Sequence, residues 1–66
     1  MAVAKVIELT AASKKGLEDA IESGLAKASE TLENVDGAWI QDIKITCKDG
    51  KIAEWRVNMK VTFVLN

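Results

Sequence analysis

The sequence predicts an α+β fold, a single β-α-β-β domain over residues 1–66 in which a three-stranded antiparallel sheet wraps around one helix. Three observations support this prediction. Every odd position from 55 to 65 is large and apolar, which is the period-two pattern of a strand with one buried face. Apolar residues between 14 and 33 recur at the three- and four-residue spacing of one helix face. Asp49-Gly50 separates the last two apolar stretches and is typical of a two-residue hairpin turn.

The first strand and the helix follow from local composition. Residues 2–10 are rich in β-branched and aliphatic side chains, which predicts a strand. Ser13 is the predicted N-cap of a helix over residues 14–33, which ends at the turn signal of residues 34–37. The apolar stripe of this helix has small residues in its middle: Ala20, Gly24 and Ala28. Because glycine costs a helix about 1 kcal/mol relative to alanine, Gly24 indicates a close approach to the sheet.

Residues 38–47 and 52–65 are predicted to form the second and third strands. With Asp49 and Gly50 as the turn, the expected pairs are Cys47 with Ile52, Ile43 with Arg56, and Ile40 with Met59. The odd residues of the third strand, including Trp55, are then expected to face the helix.

With this register, the apolar residues of the second strand do not all lie on one face of the sheet. It turns Asp42 and Lys44 toward the core, and it turns Ile43 and Ile45 toward the outer face of the sheet, away from the helix. One explanation is a β-bulge near Gln41 and Asp42. The other is that the hairpin tip extends past the helix and buries its outer face on another subunit. The length of the third strand favours the second explanation.

Chain length and composition predict a homo-oligomer. The fourteen residues of 52–65 would extend about 46 Å, whereas a compact chain of 66 residues is about 28 Å across. In addition, 48% of the residues are hydrophobic, which is a large apolar share for so small a domain. We therefore expect apolar surface to be buried between subunits.

Several function classes are disfavoured. A net charge of −1 provides no basic stripe for nucleic acid, and the apolar runs are too short to span a membrane. The chain has no histidine, no nucleophile paired with a base and no phosphate-binding loop, which predicts a non-enzymatic protein. A single cysteine, Cys47, and the absence of a signal-peptide pattern in residues 1–9 favour the cytoplasm.

The order and spacing of several segments resemble one family. KVIEL, TAAS and KKGLEDAI near the start, GLAKASETLENVD at the helix end and the final EWRVNMKVTFVL are similar to the dodecin family, small flavin-binding proteins. The similarity runs almost without gaps from residue 5 to residue 65. It implies a hollow homododecamer built from trimers, which binds FMN or riboflavin as stacked pairs at subunit interfaces and performs no catalysis.

The resemblance also implies flavin contacts at particular positions. In flavin-binding members, a tryptophan at the start of the second strand stacks on the flavin ring, and a glutamine of the third strand hydrogen-bonds it. An acidic residue further along the second strand meets the ribityl chain. The ungapped match places Gly37 at the tryptophan, Arg56 at the glutamine and Asp42 at the acidic residue. Trp39 lies two residues after Gly37, on the same face of the strand.

The predicted cofactor-binding residues are Trp39, Arg56, Asp42, Gly37 and Gln41. Two of them have a second interpretation. Trp39 either stacks on a ligand or packs between subunits. Arg56 either contacts the ring or phosphate of a ligand or forms an intersubunit ion pair, for example with Asp42.

The alternative function is a dodecin-like structural or ion-binding assembly without a flavin. In that case Asp42, Glu54 and Glu8 are expected to meet across symmetry axes and bind a cation such as calcium.

Overall fold

The computed structural model describes residues 3–65, which form the predicted β-α-β-β order. The elements are β1 (Val3–Ser13), α1 (Leu17–Ser29), β2 (Val35–Lys48) and β3 (Lys51–Leu65). The three strands make one antiparallel sheet in the order β1-β3-β2. The predicted fold class is therefore confirmed, with the long closing strand at the centre of the sheet. The start of β1 that was predicted at Ala2 lies outside the described residues.

Several predicted boundaries are wrong: β1 and β2 are longer than predicted, and the helix is shorter. β1 continues to Ser13, because the long β3 offers backbone partners to the small residues after Thr10. β2 begins at Val35, so the predicted turn of residues 34–37 is reduced to Asn34, whose φ of 60° is left-handed. The helix spans only Leu17–Ser29. The turn after β2 is as predicted, since Asp49 and Gly50 have φ values of 54° and 74°, the signs of a type I′ turn.

Ser13 organises the connection before the helix but does not cap it. The helix is preceded by Gly16, and no side chain caps its first turn. The Ser13 hydroxyl instead accepts hydrogen bonds from the backbone N–H groups of Lys15, at 2.9 Å, and Gly16, at 3.4 Å. It also donates to the Asp19 carboxylate at 2.6 Å. The residue therefore ties the end of β1 to the first turn of α1.

We expect Ser13→Ala to lower the free energy of unfolding by about 1–2 kcal/mol. The substitution removes the hydroxyl that accepts hydrogen bonds from the N–H groups of Lys15 and Gly16 and donates one to the Asp19 carboxylate. Denaturant unfolding at fixed protein concentration measures the change. Ser29→Ala is the matched control, since Ser29 is exposed at the helix end and an exposed substitution changes stability by about 0.5 kcal/mol or less. Equal losses in the two variants would contradict this role for Ser13.

The core lies between α1 and the helix face of the sheet, the face of the odd β3 residues. Its buried hydrophobic members are Ala20, Ala28, Val57, Met59 and Val61. α1 packs on β1 and β3. A Cβ atom at Gly24 would collide with Met59 Cε and lie 3.1 Å from Ala11 Cβ. The predicted close approach at Gly24 is therefore confirmed, and the small residues of α1 leave room for Met59.

β-Bulges resolve the inconsistency of the second strand. The expected pairs of Cys47 with Ile52 and of Ile40 with Met59 are present, but Ile43 pairs with Val57 and not with Arg56. The register shifts between Thr46 and Cys47 and shifts back between Ile40 and Asp42. Of the two explanations, the structure therefore has the β-bulge near Gln41 and Asp42, although the strand length favoured the other.

The register shift reverses the faces of the segment between the two bulges. Paired residues share a face, so Ile43 and Ile45, which pair with Val57 and Trp55, lie on the helix face. Asp42 and Lys44 lie on the outer face, the face of the even β3 residues. The prediction that Ile43 and Ile45 would form an apolar outer face is wrong.

The hairpin tip nevertheless extends past the helix, as the strand length predicted. The subunit measures 51 × 20 × 13 Å, and α1 covers only part of its length. Four residues on the uncovered end of the helix face form what we call the tip patch: Ile43, Ile45, Ile52 and Trp55. The three isoleucines are 52%, 50% and 46% exposed, respectively. Trp55, expected in the core, is half-buried at the boundary between the core and this patch.

Candidate ligand-binding face

The outer face brings most of the predicted site residues together. On this face Lys60 pairs with Trp39, Asn58 with Asp42, and Arg56 with Lys44 across the β2–β3 ladder. Gly37 lies on the same face, opposite Thr62. The three positions that match family flavin contacts therefore share one surface with Trp39.

The indole ring of Trp39 is exposed on the outer face. The residue is 66% exposed, and the Lys60 ammonium lies 5.5 Å from the ring centroid. This distance is within the range of a cation–π interaction. In the single chain, the ring is thus available for stacking, with the Lys60 cation beside it.

Gly37 and Gln41 border Trp39 on β2. Nothing lies within 4 Å of a Cβ atom built at Gly37, so the position matched to the family tryptophan is open space. Gln41 is the unpaired residue of the bulge, and its amide nitrogen lies 3.5 Å from the carbonyl oxygen of Trp39. The bulge at Gln41 therefore separates the parts of β2 that carry Trp39 and Asp42, while both side chains stay on the outer face.

A polar depression lies further along this face, toward the hairpin tip. It has a volume of about 170 Å³, and we call it the outer groove; it is lined by Thr10, Asp42, Lys44, Arg56 and Asn58. The hydroxyl of Thr10 donates a 2.6 Å hydrogen bond to the Asn58 side-chain oxygen. Arg56 Nε donates to Glu54 Oε1 at 2.7 Å. The ion partner of Arg56 within the subunit is thus its strand neighbour and not Asp42.

Four residues of this face were not predicted as site residues: Thr10, Lys44, Asn58 and Lys60. Lys44 was missed because the simple register turned it toward the core. A signal for its true position was present in the sequence, since the apolar residues of β2 change from even to odd numbers between Ile40 and Ile43. Such a change indicates a bulge. Thr10 was missed because β1 was expected to end there.

The described residues carry neither a metal-ligand cluster nor a membrane-spanning helix. Within residues 3–65, no three or more His, Cys, Asp or Glu side chains of one subunit lie close enough to hold a metal ion. The carboxylates of Glu8, Asp42 and Glu54 therefore form no such cluster by themselves. In this part of the chain, the model contains no helix of the length and apolar character needed to cross a membrane.

Comparisons with known proteins give one consistent family. The Dodecin family model matches residues 3–66. Dodecin of Thermus thermophilus is 36% identical over 63 residues, which cover 96% of this chain and 91% of that protein. A crystal structure of an arginine-to-alanine variant of T. thermophilus dodecin has a TM-score of 0.94 at 35% identity and covers 100% of this chain and 98% of that one.

Two further solved structures have the same fold. Dodecin from Streptomyces davaonensis has a TM-score of 0.91 at 35% identity, over 98% of this chain and 96% of that one. Calcium dodecin from Mycobacterium tuberculosis, a calcium-chelating antigen, has a TM-score of 0.81 over 97% of this chain and 91% of that one. At 23% identity, the second likeness is one of fold alone.

Proposed function

The chain belongs to the dodecin family, and we propose that it is a non-enzymatic, cytoplasmic flavin-binding protein. In this role a homododecamer binds FMN or riboflavin on the outer face and stores or buffers it. The observation that carries the proposal is the common surface of Gly37, Trp39, Asp42 and Arg56. Three of these match the family's flavin contacts, and the fourth supplies the aromatic ring that Gly37 lacks.

Stacking on Trp39 is energetically reasonable even though Lys60 already contacts the ring. A cation–π interaction at an exposed site contributes about 0.5–1 kcal/mol. Stacking of two aromatic rings contributes about 0.5–1.5 kcal/mol beyond the burial of their surface, which adds about 25 cal/mol per Å². A flat, electron-poor ring therefore displaces the ammonium from the indole face at little cost, and Lys60 stays close enough to contact the ligand.

Self-assembly is part of the proposal because the site of one subunit is open. Trp39 on an exposed sheet face covers one side of a ring only, and ligand sites in proteins bury most of the ligand's surface. A second copy of the outer face would cover the other side. The tip patch supplies an apolar surface for such assembly, since its isoleucines are about half exposed in the single subunit.

A buffering role fits the residues of the site. The outer face combines an aromatic ring, amides, carboxylates and cations, without a histidine or a nucleophile paired with a base. Ring stacking in such a site binds a flavin and quenches its fluorescence without changing it chemically. The calcium-binding alternative remains a prediction, and nothing on the described residues of one subunit favours it.

Titration of riboflavin with the protein tests the proposal. We expect quenching of flavin fluorescence that saturates with protein, and a loss of affinity of about tenfold or more in Trp39→Ala, since base–aromatic stacks are worth about 1–3 kcal/mol. Trp55→Phe is the matched control, because Trp55 lies on the helix face and is expected to leave the affinity unchanged. Full flavin fluorescence in excess wild-type protein would overturn the proposal.

A further inference from the structure

We propose that Glu8 is a positioning residue of the ligand-binding face, which accepts the Lys60 ammonium when an aromatic ring displaces it from Trp39. In the single chain the ammonium lies over the indole. The coupling of its movement to ligand binding rests on the proposed function. The movement itself depends only on these three residues, and it can be measured without a ligand.

Lys60 has a neighbour on each side of the central strand. On the outer face it lies opposite Trp39 of β2 and opposite Glu8 of β1. The Cβ atoms of directly opposite residues in an antiparallel pair are about 4.5–5.5 Å apart. The long lysine side chain can therefore reach either neighbour by rotation about its own bonds, without a change in the backbone.

The ammonium contacts the indole and not the carboxylate. Its nitrogen lies 5.5 Å from the centroid of the Trp39 ring. Among residues 3–65, no side chain forms an ion pair or a hydrogen bond with the Glu8 carboxylate, which is exposed directly beside Lys60. This carboxylate can therefore accept the ammonium once a ring covers Trp39.

The two positions of the ammonium are close in free energy. A cation–π contact at an exposed site is worth a factor of about two to five in an equilibrium constant. An ion pair between directly opposite residues of a ladder is worth up to about fivefold. A ring that stacks on Trp39 removes the first contact, and the ion pair with Glu8 offsets much of that loss. Glu8 thus favours binding without touching the ligand.

Two other carboxylates of the outer face are less well placed. Asp42 lies opposite Asn58, which is two residues from Lys60 and so about 7 Å further along β3. Glu54 already accepts a hydrogen bond from Arg56 at 2.7 Å. Glu8 is therefore the carboxylate that we assign to the displaced ammonium.

Riboflavin affinities of three variants test the coupling. We expect Glu8→Gln to weaken binding about two- to fivefold, because the displaced ammonium then has no carboxylate to accept it. Lys60→Met removes both contacts of the ammonium, so in this variant the Glu8→Gln change should have no further effect. Glu22→Gln is the matched control, since it makes the same change at an exposed position of the helix.

The double variant separates this role of Glu8 from two others. A carboxylate that contacts the ligand directly, or one that only stabilises the fold, would lower the affinity equally with and without Lys60. An equal loss in both backgrounds would overturn the coupling and leave flavin binding intact. So would an unchanged affinity in Glu8→Gln while the wild-type protein binds riboflavin.

The movement of Lys60 is tested without a ligand by the ¹³C NMR signal of the Glu8 carboxyl group. With Trp39 present, we expect Lys60→Met to leave this signal nearly in place, because the ammonium is at the indole. In Trp39→Leu the ammonium is expected to pair with Glu8, so that Lys60→Met then shifts the signal clearly.

The two measurements have separate outcomes. If riboflavin does not bind but the carboxyl signal behaves as expected, the proposed function fails and the movement of Lys60 stands. If Lys60→Met affects the signal equally with and without Trp39, the indole does not hold the ammonium away from Glu8, and the inference is wrong.

Discussion

Met59→Ala is expected to lower the free energy of unfolding by about 2–5 kcal/mol, the usual cost of removing a large side chain from a core. Met59 is completely buried in the central strand, opposite Leu9 on β1 and Ile40 on β2. Its Cε atom fills the space that Gly24 leaves under the helix. Because a domain of this length has a stability of only about 3–10 kcal/mol, the substitution would remove a large share of the stability of the isolated chain.

Denaturant unfolding monitored by circular dichroism measures this loss. Met59→Leu is the matched control, since a change that conserves volume in a core costs less than about 1.5 kcal/mol. All variants must be compared at one protein concentration, because association stabilises the folded state. If the alanine and leucine variants unfold at the same denaturant concentration, Met59 does not have the central role assigned to it.

The fold could be predicted because its main signals are repeated many times. The odd-numbered apolar residues of β3 extend from Trp55 to Leu65, so the prediction that this face packs on the helix did not depend on any single residue. The Asp49-Gly50 turn fixed the first pairs beside it. Element ends were predicted less well, since the continuation of β1 to Ser13 depends on the partners that β3 offers and not on local composition.

The site could be predicted only in part, and the reason is the register of β2. Counted from the hairpin, the register shift between Thr46 and Cys47 reverses the faces of the β2 residues before it, and the shift at Gln41 reverses them back, so Asp42 and Lys44 lie on the outer face because they stand between the two shifts. Trp39 was placed on the outer face correctly because the two shifts cancel for the residues that precede Gln41. Lys44, a central residue of the outer groove, was placed on the wrong face because the simple register contained neither shift.

The start of the helix shows a second limit of prediction from the sequence. A serine shortly before a helix can accept hydrogen bonds from backbone N–H groups either as the N-cap or in a turn ahead of the first helical residue. The local sequence is similar in the two cases. Ser13 does the second, because Gly16 follows in an extended conformation and the helix begins at Leu17. In this arrangement the Ser13 hydroxyl also donates a hydrogen bond to the Asp19 carboxylate in the first turn of the helix.

Ile45→Lys is expected to dissociate the proposed homo-oligomer into smaller species. Ile45 is half exposed in the single subunit and lies on the helix face between Ile43 and the hairpin end. Burying an isoleucine completely is worth about 1.5–3 kcal/mol, and a lysine in its place adds the cost of burying a charge. In a symmetric assembly every subunit carries the change, so the loss is multiplied by the number of interfaces.

Native mass spectrometry and light scattering of the purified variants measure the result. We expect the wild-type protein to form a large homo-oligomer of the 7.2-kDa chain and Ile45→Lys to give much smaller species at the same concentration. Ile45→Leu is the matched control, because it keeps the apolar surface and should assemble as the wild type does. If Ile45→Lys assembles normally, the tip patch is not an interface between subunits.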